Sequence, residues 1–200
     1  MKVIKVEPVN FASNTYILTE DDKTAVVIDP SEMYVLDVLE QNKLTCKYVL
    51  LTHGHFDHVG ACGALYETGA VICCGEREAD FIFSSENAMI CPRVTIPHFE
   101  IQRTFSDDEK FNFCGIDFIA ISTPGHTEGG MCYLAADSLF SGDTLFRRGI
   151  GRTDLPTGDY KTLVTSIKKL FAIPGDLKVY SGHGEDTTLN FERQYNPFVR

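Results

Sequence analysis

The sequence predicts an α/β domain in which mixed β-sheets are covered by helices. Short apolar runs that end in Gly, Pro or Asp recur along the chain, and segments with helical periodicity lie between some of them. The composition, 44% hydrophobic and 23% charged, is that of an ordinary globular protein. Because hairpins alternate with strand-helix-strand units, we expect mixed sheets with helices on the outside.

The predicted strands are rich in β-branched and aromatic residues. They are the segments KVIKVEPV, TYILTE, TAVVIDP, KYVLLT, AVICC, FNFCGIDFIAIST, MCYLAA, SLFSGD and KVYSGH. Turn-forming residues at their ends keep these strands short, and together they imply about nine or ten strands.

Four segments carry apolar residues at helical spacing. They are residues 32–42, 58–68, 76–83 and 159–172. In the last of these, Leu163, Ile167, Leu170 and Phe171 fall on one face, which is typical of a helix that packs one side against a sheet.

A chain of 200 residues is expected to form a single domain, spanning 1–200. No internal repeat, low-complexity linker or shift in composition marks a boundary. The segment 84–104 contains Pro92 and Pro97 and has no clear period, so it predicts a loop or a small insertion.

The charge of the chain argues against polyanionic partners. With a formal net charge of −10 and only 18 Lys and Arg, it offers no broad basic surface for nucleic acid or an anionic membrane. It has neither a secretory cleavage pattern nor an apolar run of about 18 residues, so a cytoplasmic location is expected.

The seven cysteines include no C-x-x-C pair, so we expect buried reduced thiols rather than a disulfide framework or zinc ribbon.

The segment LTHGHFDHVG places four potential metal ligands directly after the apolar strand KYVLL. In an extended segment, residues two apart point the same way, so His53 and His55 can share one metal ion. If the chain turns into a helix at Asp57, that residue and His58 are displaced toward a second ion. The spacing H-x-H-x-D-H therefore fits two metal sites.

Three further candidate ligands stand at or beyond strand ends. They are His126 in STPGHTEGG, Asp143 in LFSGDTLF and His183 in VYSGHGEDT, each beside a glycine that permits close backbone approach. The remaining histidine, His98, follows Pro97 and is expected to be exposed. The full set supplies seven groups, enough for two metal ions when Asp143 bridges them.

The order H-x-H-x-D-H, His, Asp, His resembles that of the metallo-β-lactamase superfamily, over nearly the whole chain. The resemblance implies a four-layer αβ/βα sandwich, in which two mixed sheets face each other with helices outside and the metals at one edge. It implies one site of His53, His55 and His126, a second of Asp57, His58 and His183, and a bridging Asp143, with Asp57 and Asp143 as catalytic residues. Asp29, in the VVIDP turn, resembles a position that orients a ligand, although a turn-forming Asp is an equally good interpretation.

Within the superfamily, the resemblance is to the glyoxalase II-like branch. His55 stands where diiron flavoprotein oxidoreductases have Glu, and Asp143 stands where true β-lactamases commonly have Cys. The stretch GDTLF followed by GIGRTD resembles small single-domain hydroxyacylglutathione hydrolase-like proteins of bacteria, and persulfide dioxygenases share a similar GRTD stretch.

The chain also departs from glyoxalase II proper. Only residues 184–200 follow His183, enough for one short helix but not for the C-terminal helical domain that helps to bind glutathione. Arg147, Arg148 and Gly149 replace the aromatic and basic run of the two-domain enzymes. The resemblance therefore does not fix glutathione as the thiol carrier.

The activity implied is that of a dinuclear metal hydrolase that cleaves a hydroxyacyl thioester, such as S-lactoylglutathione, with a metal-bridging hydroxide. A thiolate departs without prior protonation, which agrees with the lack of an extra acid beside the motifs. Arg147, Arg148 and Arg152 could hold a substrate carboxylate. Alternatively, Arg152 pairs with Asp154, and the other two arginines are solvated.

Three other functions use the same ligands or the same scaffold. A mononuclear iron persulfide dioxygenase would use His126, Asp143 and one histidine of the first motif as a facial triad. Phosphodiester cleavage is disfavoured by the acidic charge, and a non-enzymatic metal-binding protein would be expected to have lost ligands, whereas none is lost.

Two divalent ions are expected, with zinc first and iron or manganese as alternatives. The expected partner is a small-molecule thioester, and the sequence leaves the oligomeric state open.

Overall fold

The computed structural model describes residues 1–10 and 12–199. Its strands are β1 Lys2–Val6, β2 Thr15–Thr19, β3 Thr24–Ile28, β4 Thr45–Leu50, β5 Val71–Gly75, β6 Arg103–Phe105, β7 Glu109–Phe113, β8 Ile116–Ser122, β9 Met131–Ala135, β10 Ser138–Gly142, β11 Leu145–Phe146, β12 Gly149–Ile150, β13 Lys178–Ser181 and β14 Thr187–Thr188. Its helices are α1 Tyr34–Gln41, α2 Cys62–Glu67, α3 Glu78–Ile82, α4 Ser85–Ile90, α5 Tyr160–Phe171 and α6 Leu189–Tyr195. Within the described residues, no helix has both the length and the apolar character needed to cross a membrane.

Two six-stranded mixed sheets form the centre of the molecule. The first has the order β1-β2-β3-β4-β5-β6, antiparallel from β1 to β3 and parallel from β3 to β6. The second has the order β14-β13-β10-β9-β8-β7, in which only the pair β10 and β13 is parallel. The strands β11 and β12 form a separate small hairpin directly after the second sheet's β10.

Three buried clusters show that the molecule has four layers. Along β3, Val26 and Ile28 face the cluster between the sheets, while Ala25 and Val27 face the cluster shared with α1 and α2. This alternation follows from the two-residue period of a strand. On the far side of the second sheet, the third cluster includes Leu163, Ile167 and Leu170 of α5, which the sequence places on one face. The predicted four-layer sandwich is confirmed.

Some predicted elements have different boundaries. The run FNFCGIDFIAIST is two strands rather than one, because Cys114 and Gly115 have φ of 52° and 80°. Two consecutive residues with positive φ form the tight turn that joins antiparallel strands. The four strands of two or three residues, β6, β11, β12 and β14, are too short to give a period and are not predicted.

The helix predicted at residues 58–68 begins later, at Cys62. The N–H group of His58 donates to His55 O at 3.0 Å, and that of Ala61 donates to Pro30 O at 2.8 Å. These bonds hold the segment as a series of turns against the β3–α1 connection. Asp57 and His58 therefore lie in turns before α2, and not on its first turn.

The segment 84–104 contains a helix that the sequence analysis does not predict. Ser84 caps α4, because its side chain accepts a hydrogen bond from Asn87 N at 3.1 Å. After Ile90 the chain is irregular until β6 begins at Arg103. His98 is exposed, as expected.

Candidate metal centre

The first ligand group consists of His53, His55 and His126. His53 and His55 follow β4, and His126 follows β8, so residues from both sheets meet at one edge of the sandwich. His126 Nε2 lies 3.2 Å from His53 Nε2 and 3.0 Å from His55 Nδ1. All three rings are buried. Three ring nitrogens therefore converge on one point.

The second group consists of Asp57, His58 and His183. His183 follows β13, and its Nε2 lies 3.3 Å from Asp57 Oδ2. Asp57 is partly buried and His58 fully buried. These are the residues that the sequence analysis assigns to the second site.

Asp143 lies between the two groups. It directly follows β10, and its Oδ1 is 3.3 Å from His58 Nε2. Its Oδ2 is 3.6 Å from His126 Nε2 and 3.5 Å from His183 Nε2. Gly182 makes room for this carboxylate, since a Cβ there would lie 2.3 Å from Asp143 Oδ1. One carboxylate thus faces both groups, which is the position that a bridging ligand requires.

Hydrogen bonds on the far side of the rings fix their tautomers. His126 Nδ1 lies 2.7 Å from the carbonyl of Arg152, which only accepts, so Nδ1 carries the proton and Nε2 has a free lone pair. His58 Nδ1 lies 2.9 Å from Asp29 Oδ2, with the same consequence. Two imidazoles thus present an unprotonated nitrogen to the site in their neutral form.

His53 is oriented through Thr52. The Thr52 hydroxyl donates to Asp29 Oδ2 at 2.6 Å, so its oxygen is free to accept a hydrogen bond from His53 Nδ1 at 3.1 Å. Asp29 also accepts from Thr52 N at 2.8 Å. Asp29 has a φ of 49°, so it is both a turn residue and a hydrogen-bond acceptor for the site. The two interpretations of Asp29 are therefore compatible.

The pKa values of these groups separate into two classes. Burial, and then the neighbouring histidines, lower the pKa of His55 to about 3 and hold that of His53 well below its usual value. Burial also lowers the pKa of His183, but the carboxylates of Asp143 and Asp57 outweigh it and raise the pKa to about 9. Burial would raise the pKa of Asp143, yet His58 and the other histidines hold it well below its usual value. The first group is thus neutral, while the second pairs cationic with anionic groups.

The donor set fits a metal ion. Neither His58 Nε2 nor Asp143 Oδ1 makes a hydrogen bond to any described residue, although both atoms are buried and 3.3 Å apart. A buried polar atom without a partner costs about 1–3 kcal/mol. A divalent cation between these atoms would satisfy both, and imidazole and carboxylate suit zinc, iron and manganese alike.

Five of the ligand residues form one wall of a cavity of about 670 Å³: His55, Asp57, His126, Asp143 and His183. Beside the ligands, its lining consists of Phe56, Ile90, Cys91, Phe146, Ile150, Arg152 and Leu155. Three elements supply these residues: the first motif, the end of α4, and the β11–β12 hairpin with the loop that follows it. The cavity therefore has one wall of ligand residues, and the rest of its lining is mainly apolar.

The three arginines proposed for substrate binding have different positions. Arg152 lines the cavity and makes two hydrogen bonds to Asp154, at 2.8 and 2.7 Å. Arg147 and Arg148 are exposed and are not among the lining residues; the guanidinium of Arg147 pairs with Glu185. Only Arg152 is thus placed to meet a molecule in the cavity.

Sequence reasoning did not assign roles to three residues that support the ligands: Thr52, Glu78 and Asn87. Thr52 lies inside the quoted motif, and its position next to His53 was the available signal. Glu78 and Asn87 bond to the backbone of that motif from α3 and α4, 24 and 33 residues away along the chain. No local pattern marks them.

Comparison with known proteins gives a consistent result. The family model described as "Metallo-beta-lactamase superfamily" matches residues 9–183. The hydroxyacylglutathione hydrolase GloC of Haemophilus influenzae is 38% identical, with 98% of this chain and 97% of that protein covered.

Solved structures agree with the family match. The BLEG-1 B3 metallo-beta-lactamase superposes with a TM-score of 0.89 at 33% identity, covering 99% of this chain and 98% of that one. ETHE1 from Myxococcus xanthus superposes with a TM-score of 0.83 at 29% identity, covering 98% of this chain and 84% of that one. TTHA1623 in a di-iron-bound form superposes with a TM-score of 0.84 at 29% identity, covering 100% of both chains. The motif order, the four-layer fold and these matches together show that the chain belongs to the metallo-beta-lactamase superfamily of metal-binding hydrolases.

Proposed function

We propose that this protein hydrolyses a hydroxyacyl thioester, S-lactoylglutathione or a similar ester of another small thiol, with two divalent metal ions. The observation that carries the proposal is the position of Asp143, whose carboxylate lies beside His126 of the first ligand group and beside His58 and His183 of the second. This arrangement provides for two ions and one shared ligand. Zinc is the first expectation for the metal, and iron or manganese the alternatives.

The protein's own residues prepare the site. When bound, two such ions activate a water molecule near neutral pH and polarise a carbonyl group. Arg152 O holds the tautomer of His126, so this ring can bind without first losing a proton from the coordinating nitrogen. Burial lowers the pKa of His58, but Asp143 and Asp29 outweigh it and hold that pKa well above its usual value, so this ring would release its Nε2 proton when a metal ion binds. The apolar side chains of the lining lower the local dielectric constant beside the ligand residues, which strengthens electrostatic interactions there.

The lining of the cavity supports a thioester as substrate. Apart from the ligand groups, the lining residues in the described part of the chain include no carboxylic acid and no histidine. A thiolate, unlike an amine or an alkoxide, leaves without a proton donor. The similarity to GloC of Haemophilus influenzae, a hydroxyacylglutathione hydrolase, supports the same substrate class.

Arg152 supports a substrate that carries a carboxylate. It is the one cationic side chain among the described lining residues outside the ligand set, and its pair with Asp154 is exposed. An exposed ion pair contributes little, so a carboxylate could replace Asp154 as its partner at small cost. We therefore propose Arg152 as the substrate contact, in preference to Arg147 and Arg148.

An iron persulfide dioxygenase is the second candidate. The GRTD stretch at residues 151–154 and the structural similarity to ETHE1 from Myxococcus xanthus favour it. His126, Asp143 and one histidine of the first group would form its two-histidine, one-carboxylate site. This candidate predicts one metal ion per chain, whereas the thioesterase predicts two.

Metal content followed by a substrate panel tests the proposal. The protein is purified without added metal, and the bound elements are measured by mass spectrometry against an accurate protein concentration. It is then assayed with S-lactoylglutathione, a lactoyl ester of a second small thiol, glutathione persulfide with an oxygen electrode, and a β-lactam, the last because of the similarity to BLEG-1. Asp143→Ala serves as the inactive control.

The outcomes separate the candidates. About two metal ions per chain and thioester cleavage that is lost in the control would support the dinuclear thioesterase. About one iron per chain, with oxygen uptake on persulfide, would replace it by the dioxygenase. Metal binding without cleavage of either thioester would overturn the substrate assignment.

A further inference from the structure

Two buried side chains hold the peptide group between the first two histidine ligands. Gly54, the residue between His53 and His55, donates its N–H to Glu78 Oε1 at 2.7 Å. Its carbonyl accepts from Asn87 Nδ2, also at 2.7 Å. Both polar groups of Gly54 are thus bonded to side chains from α3 and α4.

The carboxylate of Glu78 also contacts the segment that carries His126. Glu78 Oε2 accepts from the hydroxyl of Thr127 at 2.8 Å, and Thr127 directly follows His126. Gly129 passes close by, since a Cβ there would lie 2.2 Å from Glu78 N. One side chain therefore joins the segment that carries His53 and His55 to the segment that carries His126.

Both side chains are almost completely buried. Glu78 is 0% exposed and Asn87 is 3% exposed. Burying a carboxyl group is unfavourable unless its oxygens are bonded, and here the hydrogen bonds go to the ligand segments. Asn87 uses its second amide hydrogen on Ile82 O at 2.9 Å, which fixes the orientation of the amide.

Gly54 allows α3 and α4 to come this close. A Cβ at position 54 would lie 2.3 Å from Ile82 Cγ1 and 3.3 Å from Glu78 Oε1. The Ser84 cap places Asn87 on the first turn of α4, facing this peptide. The segment 84–104, which the sequence predicts as a loop or insertion, thus supplies one of the two contacts.

We infer that Glu78 and Asn87 are positioning residues, which hold the Gly54 peptide and thereby set the spacing of His53, His55 and His126 for metal binding. Neither residue is among the ligand groups, and neither lines the 670 Å³ cavity, so they act through the ligands and not on a substrate. The inference rests on the proposed metal site and not on the thioester substrate. Partners that orient metal ligands typically affect metal affinity by about 10–100-fold.

The test is a measurement of metal affinity on the full-length protein. Wild type, Glu78→Ala, Asn87→Ala and the double variant are stripped of metal and titrated with Co²⁺ against a chromophoric chelator. The visible absorption spectrum of the Co²⁺ forms reports the coordination geometry directly. Glu86→Ala, an exposed carboxylate on α4, is the matched control.

The single variants are expected to bind Co²⁺ about 10–100-fold more weakly with an altered spectrum, while the control matches wild type. Because both residues act on one peptide, the double variant should lose less than the product of the two single losses. Glu78→Gln keeps an acceptor for Gly54 and a donor for the Thr127 oxygen, so it should restore most of the affinity.

The opposite results would overturn the inference. If the alanine variants keep wild-type affinity and spectrum and only unfold more easily, the two residues are structural and not positioning. Should an alanine variant fail to fold, Glu78→Met and Asn87→Asp decide, since Met keeps about the size of Glu but offers no acceptor to Gly54 N or Thr127, and Asp keeps the size of Asn but offers no amide donor to Gly54 O. Glu78→Met with wild-type affinity and spectrum would count against Glu78. Asn87→Asp with wild-type affinity and spectrum would count against Asn87. None of these readouts requires thioester hydrolysis, so failure of the substrate assignment leaves the test intact.

Discussion

Asp29 Oδ2 lies 2.9 Å from His58 Nδ1, and both side chains are buried. Burial lowers the pKa of His58, but Asp143 and Asp29 outweigh it and hold that pKa well above its usual value. The same oxygen of Asp29 accepts the hydroxyl of Thr52, which in turn contacts His53. One turn residue thereby orients a histidine in each ligand group.

Asp29→Asn should therefore weaken metal binding while the fold is kept. The amide cannot accept from Thr52 and His58 as the carboxylate does, and the expected loss of metal affinity is about 10–100-fold. Chelator competition measures it. Asp22→Asn is the control, since Asp22 is exposed and has a φ of 53°, close to the 49° of Asp29. Equal affinities of the two variants would rule out an orienting role for Asp29.

Asp143→Ala should lose both bound metal and activity, with the fold retained. The carboxylate faces both ligand groups, so its removal affects both ions at once. Elemental mass spectrometry and circular dichroism check the two parts of this prediction, with the exposed Asp137→Ala as control. Unchanged metal content in Asp143→Ala would disprove the bridging role.

The stability of the metal-free protein should depend on pH through Glu78. Burial raises the pKa of Glu78 to about 7, and hydrogen bonds from Thr127 and Gly54 only partly oppose this. The folded state thus binds the proton more tightly than the unfolded state, so this group destabilises the fold increasingly as pH rises from about 4.5 through 7.

Glu78→Gln removes this pH-dependent contribution to the free energy of unfolding, because the amide does not titrate. Relative to the variant, wild type should lose roughly 2–3 kcal/mol of unfolding free energy between about pH 5 and 8. Urea unfolding in the presence of a chelator measures the difference, with the exposed Glu86→Gln as control. Parallel pH profiles of wild type and Glu78→Gln would contradict the prediction.

Arg152→Ala is expected to raise KM for a thioester that carries a carboxylate and to change kcat little. Arg152 lines the cavity, while Arg147 and Arg148 do not. Steady-state kinetics of all three alanine variants check this, and only Arg152→Ala should respond. If its KM equals that of wild type, the pair with Asp154 merely braces the loop.

Alkylation of the folded protein should label two of the seven cysteines. Cys91 and Cys114 are partly exposed, and the other five are buried. Burial raises the pKa of Cys46 and Cys73 to about 12, which leaves almost no reactive thiolate near pH 8. Cys91 lines the metal cavity, so its alkylation should lower activity, and Cys91→Ser should abolish that sensitivity. Mass spectrometry identifies the labelled sites; rapid labelling of the buried thiols would contradict the structure.

The sequence by itself determined an α/β class with mixed sheets and the candidate ligand set, and the resemblance carried by the order of that set implied the superfamily and its four-layer sandwich. Its signals are local: the continuous apolar run of β3, the helical face of α5 and the spacing of His53, His55, Asp57 and His58 all lie within a few residues. Ligands that stand at strand ends could also be predicted, because strands of one sandwich end at a common edge.

Only the tertiary structure decided what supports those ligands. Asp29 meets His58 across 29 residues, and Glu78 and Asn87 meet Gly54 across 24 and 33. It also placed Arg152 at the cavity and Arg147 outside it, and it showed that α2 begins at Cys62 and not at residue 58. Such contacts depend on how separate elements pack, and packing leaves no periodic trace in the chain, so their residues look like ordinary helix and turn residues until the fold brings them together.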